Sequence, residues 1–151
     1  MSTRIDIGNH AQIEALHQAA NEGTLSDFEP EDCYQLAEAA LRIGENDNAR
    51  LLAQTLLAMH ASHDKGWVLL GRILEHCADI DAAIFAYEQA IELNPDGRTA
   101  LALASLYING KDIPKARQWL RFILDSSLKA QNDGAFVQAV ALWERLEQME
   151  G

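Results

Sequence analysis

Basic residues are scarce. The chain holds 12 Lys and Arg against 23 Asp and Glu, a net charge of −11 over 151 residues. With no overall basic footprint for phosphate contact, nucleic acid is excluded as a partner, while solubility and basic partners are favoured. Cysteine is nearly absent. Cys33 and Cys77 form no C-x-x-C pair and suggest no disulfide framework. Met1 to His10 is polar, without an apolar signal core, and no run of ~20 apolar residues exists. These features predict a cytoplasmic chain that does not enter a membrane. Catalytic signatures are missing as well: there is no Gly-rich phosphate loop, no G-x-S-x-G elbow and no H-E-x-x-H run. The acidic stretch around Asp79 and Asp81 lacks the central Gly and twelfth-position ligand of a calcium loop. It reads as a turn with a helix cap.

What is present is ordinary for a globule: 48% apolar and 23% charged residues. A chain of this length is about one domain and buries roughly 70% of its unfolded surface. Its organising stretch is Trp67-Val-Leu-Leu70-Gly71-Arg-Ile-Leu74, continuing through Ala83-Ile-Phe-Ala-Tyr87 to Ala90 and Pro95. Trp, Leu-Gly, Ala-x-x-x-aromatic and a closing Pro stand in the register of the 34-residue helix–turn–helix signature. Gly71 and Ala83 lack bulk and let two helices approach. Leu70, Leu74 and Tyr87 fill the space around that contact. Pro95 cannot extend the second helix, and Asp96 can cap the next.

Stepping 34 residues back maps Leu70, Gly71 and Ala83 onto Leu36, Ala37 and Ala49. A step of 33 forward gives Leu103, Ala104, Tyr107 and Ala116. The turns align too: Gly44-Glu-Asn-Asp-Asn-Ala49, Ala78-Asp-Ile-Asp-Ala-Ala83 and Lys111-Asp-Ile-Pro-Lys-Ala116. Three copies in phase predict an all-α fold with repeats at about 30–63, 64–96 and 97–130. This resembles a tetratricopeptide repeat protein. Residues 1–29 read as a flexible start and an N-terminal helix over 9–21, with Pro30 in the first turn of the next helix. Residues 131–151 read as a C-terminal capping helix started by Asn132-Asp133, with Phe136, Val140, Trp143 and Leu146 on one face.

Candidate chemistry is sparse. His60 and His63, with His76 and Cys77 nearby, have metal-ligand residue types but no second fixed pair, so no metal site and no cofactor are expected. Trp67, Trp143 and both cysteines read as core. The stronger candidate is the face of each first helix. Residues one turn apart there give Tyr34 and Leu41 in copy one, Val68 and Arg72 in copy two, and Arg98, Leu101, Ser105 and Ile108 in copy three. Five apolar side chains among charges predict a concave groove for an extended protein segment with apolar anchors; the alternative is that some of them pack on the N-terminal helix or on neighbouring helices. Glu31 and Glu38 stand where a carboxylate-clamping repeat needs Lys and Asn, so a chaperone-tail receptor is not expected.

At the level of the whole chain, the layout resembles the tetratricopeptide (class II) type III secretion chaperones of Gram-negative bacteria. The residues are Glu22-Gly23-Thr24-Leu25 ahead of Tyr34-Gln-Leu36-Ala37, Leu56-Leu57 ahead of Asp64, three repeats and a final helix. The resemblance implies a non-enzymatic chaperone holding a hydrophobic translocator-like client in its groove, with a possible homodimer through the N-terminal region. A scaffold or assembly subunit of another complex is the alternative.

Overall fold

The computed structural model describes residues 29–125 and 133–150. Among them are seven helices and no strand: α1 (Pro30–Arg42), α2 (Asn46–Met59), α3 (Asp64–His76), α4 (Ile80–Leu93), α5 (Gly97–Asn109), α6 (Ile113–Leu124) and α7 (Asp133–Glu150). The N-terminal helix expected over 9–21 lies outside the described residues, as does Asn132. Two compact units divide within α4, the first ending at Ala86 and the second starting at Tyr87. In the first, α1 packs on α2, and α3 packs on both. In the second, α5 packs on α6, and α7 packs on both. No described helix is long and apolar enough to cross a membrane.

The small residues in phase are all buried. Ala37 and Ala49 are fully enclosed in the α1–α2 pair, and Ala104 and Ala116 in the α5–α6 pair. Gly71 and Ala83 are likewise buried. Leu36, Leu52, Leu56, Leu103, Leu120 and Ile123 fill the space beside these contacts. Helix starts follow local chemistry. Pro30 sits in the first turn of α1, followed by Glu31 and Asp32, which suit the positive end of the helix dipole. Asp96 accepts from the Arg98 amide at 3.4 Å and the Thr99 hydroxyl at 3.1 Å, and Asp112 accepts from the Lys115 amide at 3.4 Å.

The turn inside each pair is the same structure three times. Gly44 has φ +85°, Ala78 +59° and Lys111 +63°. The residue after each donates back five positions: Glu45 to Ala40 O at 2.9 Å, Asp79 to Leu74 O at 2.9 Å and Asp112 to Tyr107 O at 2.8 Å. Each left-handed residue donates to the carbonyl three before it, at 3.0–3.1 Å. This is the Schellman closure, which satisfies carbonyls orphaned at the helix end.

Only the first copy places glycine at the left-handed position. An L-residue there costs roughly 1–2 kcal/mol, partly offset by the extra unfolded-state freedom of glycine. Ala78→Gly and Lys111→Gly should therefore each raise stability by about 0.5–1 kcal/mol, and Gly44→Ala should lower it by about as much. Urea midpoints at unchanged denaturant slope measure this. A destabilised Ala78→Gly variant would contradict the turn assignment.

Candidate functional site

The residues singled out in the sequence lie on α1 and α3 in the first unit and on α5 in the second. On α1, Tyr34, Glu38 and Leu41 recur at four- and three-residue spacing. On α3, Val68 and Arg72 are one turn apart. Glu38, Leu41 and Arg42 from α1 meet Arg72 and His76 from α3 around an open cavity of about 440 Å³. The packing thus brings Leu41 and Arg72 to one place. Leu41 is only 9% exposed, so it forms a floor rather than a projecting anchor. Its rim is charged: the Arg42 guanidinium lies 3.3 Å from Glu38, and Arg72 is exposed.

Tyr34 belongs to the same cluster. Burial pushes its phenol above the ordinary range, and the charge and hydrogen bonding of Glu38 push the same way. Arg72 acts in the opposite sense, and Glu31 adds a smaller push upward. Val68 is half-buried. In the second unit, α5 carries Arg98, exposed in its first turn, and then half-buried Leu101, Ser105 and Ile108 along one face.

Several residues do something other than expected. His63 is a helix cap: its Nδ1 accepts from the Gly66 amide at 2.9 Å, and its ring lies 5.6 Å from that of Tyr34. A Cβ on residue 66 would come within 3.0 Å of that nitrogen and 3.2 Å of Leu57, so glycine permits the approach. Among the described residues no group of three or more His, Cys, Asp or Glu could hold a metal ion. Trp67 is half-buried, not core. Its indole donates to Ala61 O at 2.8 Å, and its ring meets Phe85 edge-on at 6.1 Å. Trp143 is also half-buried. It lies beneath two guanidinium groups, Arg117 and Arg121, each 5.6 Å from the ring, and donates to Glu147 at 2.9 Å. Cys33 is core, and burial together with the charge of Asp32 pushes its thiol up to about 11. Cys77 is only half-buried, at the C-terminal cap of α3. Of the expected capping face on α7, Leu146 is buried, whereas Phe136, Val140 and Trp143 are half-buried. Ala135 and Ala139 complete the buried contact.

Sequence reasoning missed the His63 cap because histidine is not a usual capping residue. Gly66 three positions later was the available signal. It also missed Tyr107, whose hydroxyl donates to Glu88 at 3.0 Å under the Lys115 ammonium, itself 5.5 Å from the ring. Those two residues are 19 apart in the chain, and no local pattern pairs them.

Two tetratricopeptide repeat family models match the chain, over residues 34–77 and 64–96. With the helix pairs described above, the chain is an all-α tetratricopeptide repeat protein. No curated protein matches it in sequence. Among solved structures it is similar to the crystal structure of MamA, with TM-score 0.69, 23% identity and coverage of 80% of this chain and 69% of that one. It is similar also to the Yersinia enterocolitica type III secretion chaperone SycD in complex with a peptide of the translocator YopD, with TM-score 0.73, 16% identity and coverage of 80% and 94%. A second SycD structure, an alternative dimer, gives TM-score 0.70 at 17% identity, with coverage of 80% and 93%. At these identities the likeness concerns the fold.

Two outcomes follow from the geometry. His63→Ala should cost about 1 kcal/mol by removing the cap, while His63→Asn, which keeps an acceptor, should restore most of it in urea unfolding. Burial, the Glu88 hydrogen bond and the Glu88 and Asp112 charges push the Tyr107 phenol up to about 12, against an ordinary value of 10.0. The folded state therefore holds the proton more tightly. Its contribution is complete below pH ~10 and is lost as pH rises through about 12. Tyr107→Phe should lose less stability than the parent between those values, and equal losses would exclude the assignment.

Proposed function

We propose that the chain is a non-enzymatic, cytoplasmic protein-binding module of the type III secretion chaperone kind. It holds an extended hydrophobic segment of a translocator-like client against the first helices of its repeats. Tyr34, Leu41, Val68, Leu101 and Ile108 supply apolar contact, and Arg72, Arg98 and Ser105 pair with polar client groups. The observation that carries this reading is the α1–α3 cavity, an apolar floor at Leu41 beneath a charged rim. Such a cavity admits an apolar side chain and orients the segment through its polar groups. The fold shared with SycD, whose structure contains a translocator peptide, supports the same reading. The working form is a monomer or homodimer that uses no cofactor and acts by keeping an aggregation-prone client covered.

A second reading, a scaffold or assembly subunit, draws on α7. There Val137 is 66% and Met149 71% exposed, apolar surface that a permanent partner would cover.

A pull-down from the native cytoplasm with the tagged chain, beside Val68→Glu/Leu101→Glu, separates the two. Introducing two buried charges at a client contact should reduce capture by at least about thirtyfold, each costing on the order of 1–3 kcal/mol or more, with helix content by circular dichroism unchanged. Recovery of one hydrophobic, membrane-active protein, lost in the variant, is the expected result. Several soluble subunits retained by the variant would point to the scaffold.

A further inference from the structure

The charge of this chain is segregated. Residues 97–130 carry six basic and two acidic residues, a net charge of +4, whereas the remainder carries −15. Within that stretch α6 contains Lys115, Arg117 and Arg121 and no acidic residue. Lys115, Gln118 and Arg121 follow one another at three-residue spacing and are exposed, and Lys111 is exposed just ahead of the helix. Beside them Trp119 and Phe122 are half-buried, their rings edge-on at 5.8 Å.

What holds these cations is aromatic. Lys115 lies over Tyr107 at 5.5 Å, and Arg121 lies over Trp143 at 5.6 Å. A ring face orients a cation through its quadrupole and carries no net charge; the carboxylates nearby are held at the polar edges of the same rings, Glu88 by the Tyr107 hydroxyl and Glu147 by the Trp143 indole. Asp112 is committed to the α6 amide at Lys115.

We infer that the α6 face built from Lys111, Lys115 and Arg121, with Trp119 and Phe122 beside it, is a docking surface for a short acidic polypeptide segment of a partner protein. Complementary charge selects the segment, and the half-buried rings give its side chains apolar contact. Lys111 to Arg121 spans on the order of 15 Å along the helix, enough for about five extended residues. An extended polyanion is a poorer match. A duplex or an anionic membrane also meets the −15 carried by the rest of the chain, whereas a short segment contacts the patch alone. This surface lies on a second helix of its pair, and its residues are not those proposed to hold the client.

The test is binding of fluorescein-labelled octaglutamate to the full chain by fluorescence anisotropy, at about 50 mM and about 300 mM salt. The expected result is saturable binding that weakens with salt and falls at least about tenfold in Lys115→Glu/Arg121→Glu. Val68→Glu/Leu101→Glu should bind as the parent does. Because Arg121 also packs on Trp143, Lys111→Gln/Lys115→Gln is measured in parallel, and it should show an intermediate loss with the thermal midpoint unchanged. Equal octaglutamate binding by parent and both α6 variants would overturn the inference. So would flotation with phosphatidylserine vesicles, or reversible self-association by sedimentation that the α6 variants abolish, in the absence of peptide binding.

Discussion

Everything in this molecule depends on two helices approaching closely enough that only alanine or glycine fits between them. Ala37 with Ala49, and Ala104 with Ala116, have no accessible surface left in their packed pairs. Extra methylene groups at such a contact force neighbouring side chains off their rotamers, typically at 1–3 kcal/mol. The large residues are displaced to either side, where Leu36, Leu52, Leu103 and Leu120 are themselves fully buried. A short connection follows from the same constraint. Helices that lie this close are joined by a chain that reverses at one left-handed residue, and Gly44, Ala78 and Lys111 each adopt it.

Stability and recognition are thereby separated. The buried set is almost wholly apolar, with Thr99 its polar member among the described residues. The exposed ion pairs contribute little; Arg50 and Asp47, 3.4 Å apart in the open, are of the kind worth well under 1 kcal/mol. Charged residues on the first helices are accordingly free to vary without loss of the fold. At α1 and α3 they border an apolar floor, the combination that the proposed extended client segment calls for.

The aromatic residues that a motif reading assigns to the core serve the surface as much as the interior. Trp67 ties α3 to the preceding turn through Ala61, and Trp143 positions two arginines of α6. Half-burial suits both jobs, because an indole carries a large apolar body and one polar edge. The basic face of α6 depends on this. Aromatic support orders cations on α6, in a chain whose overall charge is strongly negative.

The sequence by itself determined the repeat: its phase, its small-residue contacts and its helix starts at Pro30 and Asp96. These were legible because each is local or recurs at a fixed interval, so three copies report the same constraint. The candidate site residues lie on α1, α3 and α5, the first helices of the repeats. Tertiary structure alone decided what those helices meet. Periodicity cannot show that Leu41 sinks to 9% exposure in a cavity that Arg72 also lines, or that His63 caps Gly66. It likewise cannot pair Tyr107 with Glu88, or Trp143 with Arg117 and Arg121. Those contacts join segments distant in sequence, and their geometry exists only once the helices have packed.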